Sequence, residues 1–248
     1  METTTENLSK ALQDVRRAHR ILYAYQRRML DLVTFIGQKL TKSEPSVKGF
    51  KHEIKHFSDP VPEPGNDISP LWKMWAWDYL YSYLFEYHLG VFKYNLREKE
   101  AGDEAYEYKF SLIQYSDTGY FDQEKKEEGT RLELEKFKPE EESGSKLLFF
   151  LEYKSKDSEW EWKDGSYMEG IVLDKKVGSK KHKEEVRYTS ADGKQILYSV
   201  PLEQFINKEA TLKVLSEFSS YCKRQGIHVF DDLILEPTCT PTSSSSEE

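Results

Sequence analysis

A chain of 248 residues is long enough to bury a core, as one large domain or two small ones. Charged residues make up 32% and the net charge is -8, which argues against a nucleic-acid binder working through its whole surface. Aromatic residues at 14% argue against general disorder. The two cysteines, Cys222 and Cys239, have no metal-ligand spacing and suggest neither a disulfide scaffold nor a zinc ribbon. The polar, acidic start METTTENLSK lacks the basic and apolar regions of a secretory leader. No window is apolar enough to span a bilayer, and the expected location is the cytoplasm.

Thr3 to Leu40 reads as one long helix. Thr3 and Glu6 have capping-box spacing, in which a hydroxyl and a carboxylate satisfy free amides at a helix start. Leu8, Val15, Leu22, Met29 and Ile36 recur every seven residues, and Ala11, Ala18, Tyr25 and Leu32 fill the second heptad position. Leu12, Val33 and Leu40 widen the stripe, so it fits either packing on a sheet or a homodimer seam. Residues 1–55 carry eleven Lys and Arg against six Asp and Glu. Arg16, Arg17, Arg20, Arg27 and Arg28 lie off the seam. They make this helix the one candidate surface for nucleic acid or an acidic partner.

The spacing predicts a second, short helix over Ser43–Phe57, with Pro45 in its first turn. It contains His52-Glu53-Ile54-Lys55-His56. This run resembles H-E-x-x-H, the zincin metalloprotease motif. The resemblance implies His52 and His56 as zinc ligands and Glu53 as general base. Three features weigh against it. Lys55 adds a positive charge beside the metal position. Asp59 and Pro62 stand where the extended motif has its glycine and third histidine. On a helix, Val47, Phe50, Ile54 and Phe57 form the apolar stripe and turn both imidazoles toward water.

Together residues 1–57 read as a helical arm, and residues 58–70, with Pro60, Pro62, Pro64 and Pro70, as a linker. A sheet domain is expected over residues 71–235. The stretch Leu71–Tyr94 holds three of the five tryptophans. Trp75, Trp77, Tyr79, Tyr81, Tyr83, Phe85, Tyr87, Leu89 and Val91 fall on alternate positions. That period predicts a turn near Trp75–Leu80 and then a strand over about Tyr81–Leu96. Further strands are expected at Tyr106–Leu112, Leu132–Glu135, Leu147–Tyr153, Met168–Leu173 and Ile196–Val200, with a weak one at Val186–Tyr188. Asp164-Gly165 and Asp192-Gly193 suit hairpin turns. Trp160 and Trp162 share one face of the strand before the first of these. Alternation of apolar and charged residues predicts an antiparallel sheet wet on one face.

Glu152 and Lys154 have the E-x-K spacing of a metal-dependent nuclease strand, with Asp117 a candidate upstream acid. Alternating charge on an exposed strand face produces that spacing without any site, and the pair is expected on such a face. No nucleophile elbow, P-loop or dinucleotide fingerprint is present. Pro201–Arg224 reads as a short turn followed by a helix, with Gly226 as its stop and Ile227–Leu235 as an extended segment. Residues 236–248 read as a disordered tail.

The expected fold is therefore α+β, a central antiparallel sheet covered by the C-terminal helix and joined by the long heptad-patterned helix. The expected function is non-enzymatic: a cytoplasmic interaction protein with no cofactor, binding a protein partner or its own second copy through the first helix. The alternatives are a zinc hydrolase through His52, Glu53 and His56, and a nuclease through Glu152 and Lys154.

Overall fold

A computed structural model describes residues 2–40, 53–56, 84–95, 105–120, 138–155, 158, 183–191 and 193–230. The fold is α+β. Helix α1 runs over Glu2–Leu40, followed by strands β1 (Glu53–His56), β2 (Leu84–Asn95), β3 (Ala105–Tyr115), β4 (Lys146–Ser155), β5 (Glu184–Thr189) and β6 (Gly193–Pro201). Helix α2 over Lys208–Arg224 follows a single 3-10 turn at Leu202–Phe205. The strands form one sheet in the order β1-β2-β3-β4-β6-β5, antiparallel at every pairing. The expected strands at 132–135 and 168–173, the Trp160–Trp162 pair, the turns at 75–80 and 164–165, the linker and the tail lie outside the described residues.

Period-two alternation builds one face of this sheet. Phe85, Tyr87, Leu89, Phe110, Leu112, Leu147, Phe149, Leu151, Ile196, Tyr198 and Val200 are all buried and belong to one core. The second half of α1 and the apolar stripe of α2 belong to that core too. Phe149 lies 4.9 Å from Phe218, and Phe110 lies 5.9 Å from Phe218, ring centre to ring centre. Aromatic pairs at these separations add to the burial of their area.

β2 departs from simple alternation. The register slips between His88 and Gly90, and Gly90 sits at φ 131°, a conformation that L side chains rarely adopt. The bulge reverses the facing of the residues after it. Val91, expected beside Leu89, is exposed, and Phe92 instead stacks on Tyr108 at 5.1 Å. An isolated glycine inside a strand pattern is the signal for this.

The sheet is not wet on its other face. Ile113, Leu148, Phe150 and Leu197 are buried there, together with Glu86, Ser111, Glu152 and Gln195. The reason is visible in the unbroken apolar run Leu147–Leu151, which serves a strand covered on both sides. Glu152 Oε1 accepts a hydrogen bond from Gln195 Nε2 at 2.7 Å, the kind of partner that a buried carboxylate requires.

The short-helix expectation around residue 50 is also corrected. Glu53–His56 is an edge strand, with Ile54 opposite Tyr87, Lys55 opposite Glu86 and Glu53 opposite His88. Pairing satisfies backbone groups that β2 would otherwise leave open at its edge, and that gain overrides the helical period.

α2 begins and ends as its sequence dictates. The Asn207 side chain accepts a hydrogen bond from the Ala210 amide at 2.8 Å, and Gly226 takes φ 74° past the last turn. Asn207→Ala is expected to lower stability by about 1 kcal/mol in a denaturant melt, the usual cost of losing such a cap. Of the extended segment expected over Ile227–Leu235, residues 231–235 lie outside the described residues; residues 227–230 are irregular, with a turn at 229–230, and place Ile227, Val229 and Phe230 in the core.

Candidate interaction face on the first helix

α1 is one helix with two environments. Over its second half, Met29, Val33, Ile36 and Leu40 are buried, with Tyr25 and Leu32 packed against the same core. Over its first half the same stripe stands open. Leu8 is 60% exposed, Val15 51% and Leu22 38%, against 0% for Ile36. Ala11 and Ala18 are exposed along with them. Residues 7–24 are exposed throughout, and at 1.5 Å per residue that open part is about 27 Å long. A continuous apolar stripe of which half is solvent-facing is the feature that calls for a partner.

The boundary between the halves is held by polar groups. Gln26 Nε2 donates to the Tyr87 hydroxyl at 2.6 Å, which donates to Gln114 Oε1 at 2.6 Å. Gln114 Nε2 donates back to Gln26 Oε1 at 3.2 Å. This closed ring is buried between helix and sheet. Gln114 Nε2 also donates to Ser116 Oγ, which shares a hydrogen bond with the Tyr25 hydroxyl at 3.1 Å. Burial raises the Tyr25 phenol above the ordinary tyrosine value, against the opposing hydrogen bonds of Ser116 and Gln114. One turn on, Arg28 Nη2 donates to the Ile206 carbonyl at 3.3 Å. A ring of satisfied amides and a phenol admits one geometry only, so it fixes where the helix leaves the sheet. The sequence does carry a signal for Gln26, a polar residue inside an otherwise apolar stripe. Nothing in the sequence alone pairs it with Tyr87 and Gln114.

The basic residues fall where the sequence suggests. Arg16, Arg17, Arg20 and Arg27 are exposed on α1.

The other candidate sites are dispersed. Glu53 and His56 lie on β1, and His52 lies outside the described residues. Glu152 and Lys154 share the second sheet face, but that face is closed rather than exposed. Glu152 is fully buried, and Lys154 Nζ lies 3.8 Å from Glu107 Oε2. Asp117 is not with them. β3 and β4 pair with Tyr115 at Lys146 and Lys109 at Glu152, which sets Asp117 roughly 20 Å along the sheet from Glu152. There the Asp117 carboxylate accepts the Gly119 amide hydrogen bond at 2.7 Å and shapes a turn. Among the described residues no group of three His, Cys, Asp or Glu side chains is placed to hold a metal ion, and no helix is long and apolar enough to cross a membrane.

No curated protein matches the chain. No solved structure matches it either. The model of one family, described as PM0109, matches residues 5–229. That span takes in the open helix face, the whole sheet and α2, and the chain belongs to the PM0109 family.

Proposed function

We propose that this is a non-enzymatic interaction protein that self-associates through the projecting half of α1. One observation carries the reading: a single heptad stripe is buried in its second half and open in its first. The open residues are those that a helical partner covers in a coiled-coil seam. A cytoplasmic location is part of the same proposal. The enzymatic alternatives draw less support. A zincin site needs its two imidazoles one helical turn apart, whereas Glu53–His56 is extended. A nuclease site at Glu152 needs further carboxylates beside it, and Asp117 is at the other end of the sheet.

Sizing with light scattering tests the proposal. The wild type is expected to run as a dimer that dissociates on dilution. Leu22→Glu is expected to run as a monomer, and at a concentration too low for the wild type to pair it should melt at nearly the wild-type temperature, because Leu22 touches water in the single chain. A wild type that stays monomeric at the highest reachable concentration would overturn the reading.

A further inference from the structure

α1 has a second exposed side, turned away from its apolar stripe, and we infer that this side binds single-stranded nucleic acid. The inference uses no residue of the seam proposed above and holds whether or not the chain self-associates.

At 100° per residue, Arg16, Arg20, Tyr23 and Arg27 fall in one strip, about 110° round the helix from Leu8, Val15 and Leu22. All four are exposed, Tyr23 at 70%. Three guanidinium groups are thereby spread along about 16 Å of helix, with the phenol ring between the second and third. Residues 7–30 hold six Lys and Arg against a single acid, Asp14, which falls on the far side of the helix from the strip.

Two observations point to phosphate as the ligand chemistry. Five of the chain's nine arginines lie within residues 16–28, and that segment has no lysine, although lysines supply 27 of the 36 basic residues. The planar fork of a guanidinium matches a phosphate, and its face stacks on a base, where an ammonium is only a point charge. The arginines are also unspent within the chain. Lys154, Lys183 and Arg224 each pair with a carboxylate, whereas among the described residues Arg16, Arg20 and Arg27 join no ion pair.

Tyr23 selects a single strand. Its open ring, flanked by guanidinium groups, offers a stacking surface to an unpaired base, and a duplex keeps its base faces covered. Cations on the backbone combined with an aromatic under a base hold single strands with little sequence preference. Phosphates and base faces are common to RNA and DNA, so the strip takes either. An acidic peptide would use the arginines and have no need of the ring. A bilayer fits less well, because with the arginines on its headgroups Leu8, Val15 and Leu22 would not enter it. The net charge of -8 confines the contact to this helix.

Fluorescence anisotropy with short labelled oligouridylate and oligothymidylate tests the inference. Both strands are expected to bind alike at low salt and to be released as salt is raised. Arg16→Ala/Arg20→Ala should reduce the slope of log affinity against log salt by about 1.4, at roughly 0.7 per phosphate contact. Tyr23→Ala should weaken binding about tenfold with that slope unchanged, and Tyr23→Phe should bind as the wild type does, because only the ring is used. All three positions are exposed, and circular dichroism verifies the fold of each variant. No binding at low salt would overturn the inference. Wild-type affinity in Tyr23→Ala would overturn the assignment to a single strand. Polyglutamate that competes as well as unlabelled oligonucleotide would overturn it in favour of an acidic protein segment.

Discussion

Replacing Phe149 with alanine is expected to lower the free energy of unfolding by about 3–5 kcal/mol, the usual cost of removing a buried aromatic side chain. Phe149 is fully buried at the middle of the central strand β4. Its ring meets Phe218 at 4.9 Å, Tyr198 edge-on at 6.1 Å, Phe110 at 6.2 Å and Phe205 at 6.4 Å. The loss would reach both the sheet and its two connections to the C-terminal region, the 3-10 turn and α2. Packed rings collapse poorly into a void, so the cavity term should be near its full size. A domain of this kind has roughly 5–15 kcal/mol of stability in all, so the variant should melt far earlier in urea. A loss below about 1 kcal/mol would mean that the aromatic cluster is not packed as described.

Ile36→Glu is expected to cost about 4 kcal/mol or more, because it places an unpaired carboxylate in the core beneath the sheet. Leu22→Glu makes a similar change two heptads earlier and should cost the single chain almost nothing. The pair separates two roles of one pattern. Ile36 and Leu22 both occupy the first heptad position, yet one is sealed and the other is 38% exposed. Chemical denaturation at low protein concentration reads the contrast, with self-association out of play. Equal losses in the two variants would show that the first half of α1 is packed within its own chain.

That contrast also marks how far the sequence is legible. The helix itself is readable from Thr3 to Leu40, because a seven-residue period persists regardless of what covers it. Where the cover stops is not readable. It depends on Gln26, Tyr87 and Gln114 meeting across 61 and 88 positions of chain, and no local pattern encodes such a meeting. The strands at 147–153 and 196–200 are legible as short apolar, strand-prone runs, and the strand at 106–112 because apolar and polar residues alternate there. The second sheet face misleads for the same reason. Glu107, Lys109, Glu152 and Lys154 read as a wet face, although Leu148 and Phe150 on that face already point the other way. Residues 53–56 mislead because so short a helical period looks the same as an edge strand, and only the open edge of β2 decides between them. The E-x-K spacing places its pair on one strand face, but the burial of Glu152 and the ion pair of Lys154 with Glu107 come from the neighbouring strands.

The two ends of the sheet have a consequence for how this protein meets others. An open strand edge is a template on which any extended chain can add itself, including a misfolded copy. Here β1 offers only four residues, EIKH, three of them charged or ionisable. At the other end, β5 is broken by an irregularity between Val186 and Tyr188 and carries Glu184, Glu185 and Arg187. Short, charged and bent edges resist backbone pairing. The described sheet is thus poorly suited to polymerising edge to edge, and an exposed apolar helix can be carried without the strands beside it seeding aggregation.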